Sequence, residues 1–564
     1  MRILIFSSVW FFILSVVSLA SWQFDSLEAS GKSGMVVSAE PIATSIGLTV
    51  LKNGGNAFDA AVAVGFALAV TYPVAGNIGG GGFMVAVDAS GNPIAVDYRE
   101  KAPASAHQDM YLDSTGNVHP TLPLLGASAS GVPGSVAGMI HILEKYGTMT
   151  LSEILEPIIA LADTGFLIPD YLAKSLASQN SDFNRFSSSK AIFTNDGEPK
   201  TSGERLIQKD LAATLRAISD YGTDGFYQGK VADLIVAQMQ ASGGYITHKD
   251  LDEYHTIERK AISSTYRGYK LFSMPPPSSG GVALFEMLSL LENADLSKMN
   301  TGSAEYMHLL ASAAKFAYAD RAEYLGDPDF VRVPVERLIS KTHGKRLFVR
   351  VTEMALPSDS ISHTEFSDTE SQETTHYSVL DQFGNAVSIT TTINSGYGCK
   401  EVVEGAGFLL NNEMDDFSAK PGVPNQFGLI GSKANAIQPG KRMLSSMTPT
   451  IALQNGKPVL ILGSPGGSTI ITVVLQVLLN VLDHNMDVGQ AVAQGRIHHQ
   501  WRPDILMYEE TKFLDSELEL LRQKGYSIRP VSRLGLVEAI FANPITGMIQ
   551  GATDPRGNGM AAGY

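Results

Sequence analysis

The chain has 564 residues, of which 44% are hydrophobic and 18% charged, so it can bury a large core and is not an intrinsically disordered protein. Its 42 basic and 57 acidic residues give a net charge of −15, which argues against nucleic acid or an anionic membrane as the main partner. The single cysteine, Cys399, excludes an internal disulfide framework and a zinc-ribbon or iron–sulfur site.

The first 20 residues are typical of a secretory signal peptide. Arg2 precedes an apolar run over residues 3–19, and Ser18 and Ala20 supply the small residues that signal peptidase requires. An uncleaved membrane anchor is the main alternative, because the run approaches the ~18 residues that span a bilayer. We therefore expect cleavage before Ser21 and an exported mature protein, either periplasmic or extracellular.

The first elements of the mature chain indicate a layered fold. The pattern predicts a short strand over residues 35–38 and a helix over residues 41–52. Residues 57–70 are small and apolar on nearly every side, which predicts a helix buried on all faces. Four glycines at 79–82 precede an apolar strand at 83–87. No Lys-Ser/Thr follows them, so close backbone approach or a tight turn is favoured over a phosphate loop.

The character of the sequence changes near residue 373. Residues 151–350 are predicted to be mainly helical, and the polar stretch 358–373 is typical of an exposed loop or linker. Strands dominate from residue 375 onward. They are expected at 376–380, 386–392, 407–410, 450–453 and 458–462.

A predicted hairpin brings two threonines together. Residues 381–385 form a turn signal in which Gly384 suits a left-handed position. Centring the hairpin on Phe383 sets Thr374 opposite Thr392, and facing hydroxyls can hydrogen-bond across a strand pair. An ordinary threonine-rich edge strand is the alternative interpretation, and a register slip of one residue would destroy the pairing.

Cleavage of the chain before Thr374 would give this threonine its own base. A new α-amino group has a pKa of about 7.7–8.0, whereas a threonine inside a chain has no such base. Other chemistries are poorly supported, because the sequence contains no G-x-S-x-G elbow and no H-E-x-x-H spacing. The adjacent His498 and His499 would point apart on a strand, which disfavours a metal site there.

Two later segments carry further candidate groups. Residues 463–468 follow a predicted strand and precede an apolar helix, so their backbone N–H groups either stabilise an oxyanion or belong to a plain turn. Residues 411–416 place carboxylates and amides after an apolar strand. This cluster is a solvated turn, a cation site or a pocket for an amine.

Five motifs resemble those of the gamma-glutamyltransferases (gamma-glutamyl transpeptidases), which belong to the N-terminal nucleophile hydrolases. They are residues 97–100 (DYRE), 374–379 (TTHYSV), 411–418 (NNEMDDFS), 444–447 (LSSM) and 463–468 (GSPGGS). The resemblance covers the whole mature chain and implies an α+β fold, a four-layer αββα sandwich. It also implies a precursor that cuts itself between Glu373 and Thr374, giving a large subunit of residues 21–373 and a small catalytic subunit of residues 374–564 that form a heterodimer.

The resemblance also implies a role for each matching residue. Thr374 would be the nucleophile and Thr392 its hydrogen-bond partner, with Gly466 and Gly467 as the oxyanion hole. Arg99, Ser445 and Ser446 would hold the α-carboxylate of a glutamyl group, and Asn394, Glu413 and Asp416 its α-ammonium. We expect separate cationic and anionic walls, because the donor is a zwitterion that must be aimed at one hydroxyl.

Two positions depart from the family pattern. Residues 420–442, the lid segment, have the length of the lid found in bacterial members, but Phe427 stands where that lid usually carries a tyrosine. The sequence therefore does not support a latch through that hydroxyl. Met443 stands where a proline is usual, which would loosen the turn before Ser445 and Ser446.

The implied activity is that of an exported gamma-glutamyl transferase and hydrolase. Its substrates would be glutathione and other γ-glutamyl amides, its acceptors water, amino acids or dipeptides, and it would need no cofactor or metal. A cephalosporin (glutaryl) acylase of the same fold is the nearest alternative, but Asp416 and its acidic neighbours would have no ammonium to pair with in such an enzyme. A non-enzymatic exported protein that binds γ-glutamyl peptides is the alternative from another class.

Overall fold

The structure of the chain is a computed structural model that describes residues 27–361, 374–420 and 422–564. The predicted signal peptide, residues 1–20, and Glu373 lie outside the described residues. The strands are β1 (Glu28–Gly31), β2 (Met35–Ser38), β3 (Gly81–Val87), β4 (Pro93–Asp97), β5 (Phe166–Leu167), β6 (Thr194–Asn195), β7 (Glu198–Pro199), β8 (Arg205–Leu206), β9 (Ile257–Arg259), β10 (Ile262–Tyr266), β11 (Tyr269–Ser273), β12 (Thr375–Leu380), β13 (Ala386–Thr392), β14 (Thr450–Gln454), β15 (Lys457–Gly463), β16 (Ile497–His498), β17 (Ile505–Glu509), β18 (Ser527–Val531), β19 (Glu538–Ala542), β20 (Ile549–Thr553) and β21 (Met560–Gly563). The α-helices are α1 (Pro41–Lys52), α2 (Ala57–Thr71), α3 (Ser135–Tyr146), α4 (Leu151–Thr164), α5 (Asp170–Ser178), α6 (Asn180–Phe183), α7 (Ser187–Phe193), α8 (Lys209–Tyr221), α9 (Asp224–Tyr227), α10 (Gly229–Ser242), α11 (His248–Asp252), α12 (Gly280–Leu291), α13 (Ala304–Tyr324), α14 (Val335–Leu338), α15 (Lys341–Phe348), α16 (Ile470–Leu482), α17 (Val488–Ala493) and α18 (Asp515–Gln523).

Two antiparallel sheets of seven strands each form the centre of the molecule. The first sheet has the order β1-β20-β19-β15-β14-β11-β10, and the second has the order β21-β2-β12-β13-β3-β4-β9. The sheets face each other, with β12 against β19 and β13 against β15. Helices α1 and α2 cover the outer face of the second sheet, and α12 and α16 cover the outer side of the first. The fold is therefore α+β, and its layers follow the order αββα.

The alternation of side chains along the strands explains the two cores. In β3, Met84 and Ala86 pack toward α2, whereas Phe83 and Val85 pack toward the other sheet. Successive residues of a strand point to opposite faces, so a strand with helices on one side and a sheet on the other is apolar throughout. Buried residues occupy every position of α2, as the sequence predicts.

The hairpin that carries Thr374 is fixed to the start of α2. The Asp381 carboxylate accepts hydrogen bonds from the backbone N–H groups of Phe383 and Asn385 within the turn, each at 2.9 Å. It also accepts one from the N–H of Ala57 at 2.8 Å. Gly384 has a φ of +93°, the left-handed conformation that the turn signal predicts.

The structure contradicts one expectation about local structure and adds detail to two others. Residues 407–410 form no strand, because Leu409 makes only an isolated bridge with Val402. The mainly helical stretch 151–350 also contains strands, of which β10 and β11 extend the first sheet. Of the stretch 358–373, expected to be exposed, residues 362–373 lie outside the described residues. Asp359 and Ser360 are exposed, whereas Ser358 is buried and its hydroxyl donates to the carbonyl of Trp501 at 2.5 Å.

Candidate active site

Strands β12 and β13 place the two threonines side by side. The pairs run from Leu380 with Ala386 to Thr375 with Thr391, which is the register predicted from the turn. The next pair is Thr374 with Thr392, and the Thr374 Oγ1 lies 3.4 Å from the Thr392 Oγ1. The Thr392 Oγ1 also accepts a hydrogen bond from the backbone N–H of Asn394 at 2.7 Å. The hydrogen bond from Asn394 therefore fixes the position of the Thr392 hydroxyl.

The glycine run lies directly beside this hairpin. A Cβ atom on Gly79 would come 2.2 Å from the carbonyl oxygen of Leu409, and one on Gly80 would come 2.1 Å from that of Thr392. A Cβ on Gly81 would strike the Glu100 carboxylate at 2.5 Å. Neither Gly79 nor Gly81 has a positive φ, so the glycines serve close backbone approach, the interpretation that the sequence favours.

A buried guanidinium meets three carboxylates at the floor of the site. Arg99 donates to Glu413 through Nη1 and to Asp416 through Nη2, the latter at 2.5 Å. Glu100 lies 3.5 Å from Nη1. The expected separation into cationic and anionic walls is therefore not what the structure shows. With no zwitterion between them, buried opposite charges pair with each other, because an unpaired buried charge is costly.

Burial and mutual repulsion change the titration of these groups. Burial raises the pKa of Glu100 to about 7, although the Arg99 guanidinium opposes the change. Burial also raises the pKa of Asp415 to about 7, with a further contribution from Asp416. The pKa values of Glu413 and Asp416 are raised by burial against the same guanidinium. Burial alone would lower the pKa of Arg99, but the surrounding carboxylates outweigh it and keep the guanidinium charged.

We expect a Glu100→Gln variant to gain stability relative to the unaltered protein as the pH rises. Because the pKa of Glu100 is raised from 4.5 to about 7 in the folded state, the folded group keeps its proton between about pH 4.5 and pH 7 while the unfolded group loses it, so the free energy of unfolding of the unaltered protein falls over this range. Glutamine has no such proton, so the difference in the free energy of unfolding should grow by roughly 3 kcal/mol between pH 5 and pH 8. Urea unfolding at both pH values measures it. The exposed Glu156, changed to Gln, is the control, and an unchanged difference for Glu100→Gln would contradict the expectation.

Ser445 and Ser446 are held by the chain that enters α12. The Ser445 N–H donates to the carbonyl of Pro277 at 2.9 Å, and the Ser279 hydroxyl donates to the carbonyl of Ser445 at 2.6 Å. Arg321 of α13 donates to the Ser446 Oγ at 3.3 Å. Met443, two residues before Ser445, is buried, and its carbonyl accepts from the Arg99 Nε at 3.3 Å.

The turn between β15 and α16 presents two backbone donors. Gly466 has a φ of +135° and Gly467 a φ of +53°, values that L-residues rarely adopt. The carbonyl of Gly466 accepts from the N–H and the hydroxyl of Thr469, at 2.9 and 2.8 Å. Among the described residues, no acceptor takes the N–H of Gly466 or Gly467. These two groups are therefore available to an oxyanion.

The lid segment closes the site above Gly467. The ring of Phe427 lies so close that a Cβ on Gly467 would come 2.7 Å from it. The side chain of Asn425 accepts from the N–H groups of Phe427 and Leu429, at 3.0 and 3.1 Å, and donates to Asp416 at 3.3 Å. The tip of the lid thus contacts the carboxylates as well as the oxyanion turn.

Nine of the ten residues predicted to act in catalysis or substrate binding line one cavity. They are Arg99, Thr374, Thr392, Asn394, Glu413, Asp416, Ser445, Ser446 and Gly467. Gly466 is the neighbour of the last of these. The cavity is also lined by Phe427, Leu429, Met447 and Ile470, which the sequence did not assign to the site.

Two charged residues beside the cavity were missed. Glu100 belongs to the quoted motif but received no role, and Arg321 was not considered. Arg321 is buried in α13, but so is Lys315 of the same helix, which pairs with Asp504, so a buried cation in this helix does not by itself signal a residue of the site. No histidine lines the cavity among the described residues. His376, two residues from Thr374, is engaged with Thr390 and Ser378 at 2.9 and 3.1 Å.

One group of side chains elsewhere has the composition of a metal site. Glu286, Asp320 and His343 offer ligand atoms within 4.8 Å of one another, where α12, α13 and α15 meet. His343 Nε2 already lies 3.0 Å from Asp320 and 3.3 Å from Glu286, so the three groups satisfy one another without an ion. This group does not line the cavity. Across the described ranges, no helix is long and apolar enough to cross a membrane.

Comparison with known proteins shows which family this chain resembles. The family model described as gamma-glutamyltranspeptidase matches residues 43–564. The glutathione hydrolase proenzyme of Escherichia coli strain K12 is 48% identical over 94% of this chain and 92% of its own length. The structure of a cephalosporin acylase from Bacillus halodurans superposes with a TM-score of 0.85 at 27% identity over 99% of both chains. That of Helicobacter pylori gamma-glutamyltranspeptidase has a TM-score of 0.57 at 48% identity, over 57% of this chain and 93% of its own.

Proposed function

The chain belongs to the gamma-glutamyltranspeptidase family, and we propose that it cleaves glutathione and other γ-glutamyl amides by transferring the γ-glutamyl group to Thr374. The observation that carries the proposal is the single cavity in which a threonine pair, a buried guanidinium and several buried carboxylates meet. A ligand with both an α-carboxylate and an α-ammonium matches that set of charges. The name of the Escherichia coli relative, glutathione hydrolase proenzyme, supports glutathione as a substrate.

Donor binding in this site is an exchange of ionic partners. The α-ammonium takes over the carboxylates of Glu413 and Asp416, with Asn394 beside them, and so replaces the Arg99 guanidinium. Arg99 then turns its donors to the α-carboxylate, together with the hydroxyls of Ser445 and Ser446. Because the bound zwitterion carries no net charge, each buried group keeps an opposite partner throughout.

The reaction begins with the α-amino group that cleavage before Thr374 creates. This amine takes the proton of the Thr374 hydroxyl, whose oxygen attacks the γ-carbonyl carbon. The N–H groups of Gly466 and Gly467 stabilise the negative oxygen of the tetrahedral intermediate, and Thr392 orients the nucleophile. The amide nitrogen leaves with the proton, and a γ-glutamyl ester on Thr374 remains. Water or the amine of an amino acid or dipeptide then attacks the ester and restores the hydroxyl. No cofactor or metal takes part.

The same hydroxyl performs the maturation of the precursor in this proposal. It attacks the carbonyl carbon of Glu373, the C–N bond breaks as the amide nitrogen takes the hydroxyl proton, and the amino group of Thr374 is freed as an ester to Glu373 forms. Water then hydrolyses this ester, which releases the Glu373 carboxylate and restores the Thr374 hydroxyl. A large subunit of residues 21–373 and a small subunit of residues 374–564 remain together as a heterodimer. The word proenzyme in the name of the Escherichia coli relative supports this step. Residues 1–20 direct export of the chain as a signal peptide.

We expect the enzyme to prefer a γ-glutamyl anilide to a glutaryl anilide by a factor of about 10³ or more in kcat/KM. The two substrates differ in the α-amino group, and without it the buried carboxylates Glu413 and Asp416 have no new partner when Arg99 turns away. Colorimetric release of the aniline from both substrates by the processed protein measures the ratio.

Either of two other results would overturn the proposal. A preference for the glutaryl anilide would assign the protein to the acylases, which share its fold. A correctly processed protein that binds γ-glutamyl peptides but releases no product from either anilide would be a binding protein. The second substrate is the matched control, because it has the same leaving group and the same scissile amide.

A further inference from the structure

A series of buried hydrogen bonds runs from the helix behind the oxyanion turn to the lid. The Thr472 Oγ1 lies 2.7 Å from the His498 Nδ1, and the His498 Nε2 lies 2.9 Å from the Gln500 Oε1. The Gln500 Nε2 donates to the carbonyl oxygen of Phe427 at 3.2 Å. All three side chains are at most 4% exposed. Gln500 thereby joins the tip of the lid to the first turn of α16.

The chemistry of each group fixes the direction of this series. The Gln500 amide must point its NH₂ group at Phe427, because the reverse orientation would set two carbonyl oxygens against each other. Its Oε1 therefore accepts from the His498 Nε2–H, and the His498 Nδ1 is left as an acceptor. The single proton of the Thr472 hydroxyl is directed to this Nδ1 at 2.7 Å in preference to the carbonyl of Thr469, which lies 3.0 Å from the same oxygen. Burial lowers the pKa of His498 to about 3, so the imidazole is neutral and has this single tautomer.

The segment that carries Gln500 is itself firmly held. The Trp501 Nε1 donates to the carbonyl of Ser358 at 2.9 Å. Asp504 accepts from the Lys315 ammonium of α13 at 2.6 Å and lies 3.2 Å from the His499 Nε2. The amide of Gln500 therefore projects from a fixed support, which is what a residue that orients a neighbouring segment requires.

The contact with the lid is made to the backbone. Phe427 has no hydroxyl, and its ring packs on Gly467. Gln500 reaches the carbonyl oxygen of residue 427, which any side chain at that position would leave in place. A latch of this kind does not depend on the tyrosine that the family usually has in the lid.

We propose that Gln500 is a positioning residue that latches the lid closed through the carbonyl of Phe427, and that His498 and Thr472 orient its amide for this contact. The latch holds Phe427 against the oxyanion turn and Asn425 against Asp416. Its kinetic consequence rests on the proposed function, because a closed lid retains the γ-glutamyl donor. Its effect on the mobility of the lid does not depend on any activity.

The first test compares Gln500→Leu with a matched glutamine elsewhere. Gln208 is 4% exposed and its Nε2 donates to the carbonyl of Val70 at 2.8 Å, so Gln208→Leu removes a similar buried bond far from the lid. We expect amide hydrogen exchange of residues 424–431 to accelerate about five- to tenfold in the processed Gln500→Leu protein. The same amides should exchange at the unaltered rate in Gln208→Leu.

A second pair of variants tests the orienting residues. Thr472→Val removes the hydroxyl that His498 accepts from, and Thr472→Ser retains it. We expect Thr472→Val to accelerate exchange in residues 424–431 and Thr472→Ser to restore the rate of the unaltered protein. With a γ-glutamyl anilide, Gln500→Leu and Thr472→Val should raise KM about fivefold while kcat changes less than about twofold.

The outcomes separate the latch from the proposed function. Unchanged lid exchange in Gln500→Leu, or an equal increase in Gln208→Leu, overturns the latch whatever the enzyme does. Accelerated exchange in a protein that turns over no γ-glutamyl anilide supports the latch and overturns the proposed function. A fivefold fall of kcat in Gln500→Leu with no change in KM would show that Gln500 acts on the oxyanion turn instead. That result would also overturn the latch.

Discussion

A Thr374→Ala variant is expected to remain a single uncut chain and to lose turnover by at least about 10⁴-fold. One hydroxyl serves both reactions in the proposed mechanism, so its removal should abolish maturation and catalysis together. The unaltered protein should give two fragments of roughly 38 and 20 kDa, the smaller beginning at Thr374. Intact mass shows whether the chain is cut, N-terminal sequencing shows where the smaller fragment begins, and a γ-glutamyl anilide assay measures turnover.

The neighbouring threonine provides the control for this experiment. Thr375 is also fully buried, and its hydroxyl has no hydrogen-bond partner among the described residues. A Thr375→Val variant should therefore be cut and should keep its activity. Normal cutting of Thr374→Ala would assign the cleavage to another group or to a separate protease. The role of Thr374 as the maturation nucleophile would then be lost.

An Arg99→Gln variant is expected to lose about 10³-fold in kcat/KM for γ-glutamyl substrates. Arg99 is the buried cation that contacts Glu413, Asp416 and Glu100, and in the proposed mechanism it receives the donor carboxylate. Its removal also leaves buried carboxylates without a counter-ion, which should lower the free energy of unfolding by about 3–5 kcal/mol. Steady-state kinetics and urea unfolding measure the two effects.

A second substitution separates the two consequences of losing Arg99. Adding Glu413→Gln to the Arg99→Gln protein removes one of the unpaired charges, so it should recover part of the lost stability. It should not recover activity, because the donor carboxylate still lacks its partner. Recovery of both together would mean that Arg99 acts through the integrity of the fold and does not contact the substrate.

The sequence predicted the hairpin of the site because its determinants are local. The turn at residues 381–385 sets the register, and the register sets Thr374 opposite Thr392. The bounds of β2 and α1 are likewise those expected from the pattern of apolar residues. The four glycines were correctly attributed to close approach, although the residues that approach them come from distant parts of the chain.

The sequence did not predict how the charged groups pair in the free protein. Arg99 and Asp416 were assigned to opposite ends of one ligand, and nothing local to either residue shows that they touch. The latch through Gln500 was equally invisible, because it joins side chains to a backbone carbonyl 73 residues away. A strand at residues 407–410 was expected from its apolar residues, but within the described part of the chain Leu409 makes only an isolated bridge with Val402.

The strand orders of the two sheets determine how the cleavage that we propose before Thr374 would affect the stability of the protein. Strand β2 precedes the cut but lies between β21 and β12, which follow it, and the first sheet likewise joins β1 to β20 and β14 to β11. Neither fragment contains a complete sheet, so we expect that neither folds on its own. Unfolding of the precursor is a unimolecular equilibrium, whereas unfolding of the cut protein also separates two molecules. The melting temperature of the mature enzyme should therefore rise with protein concentration, and that of an uncut variant should not.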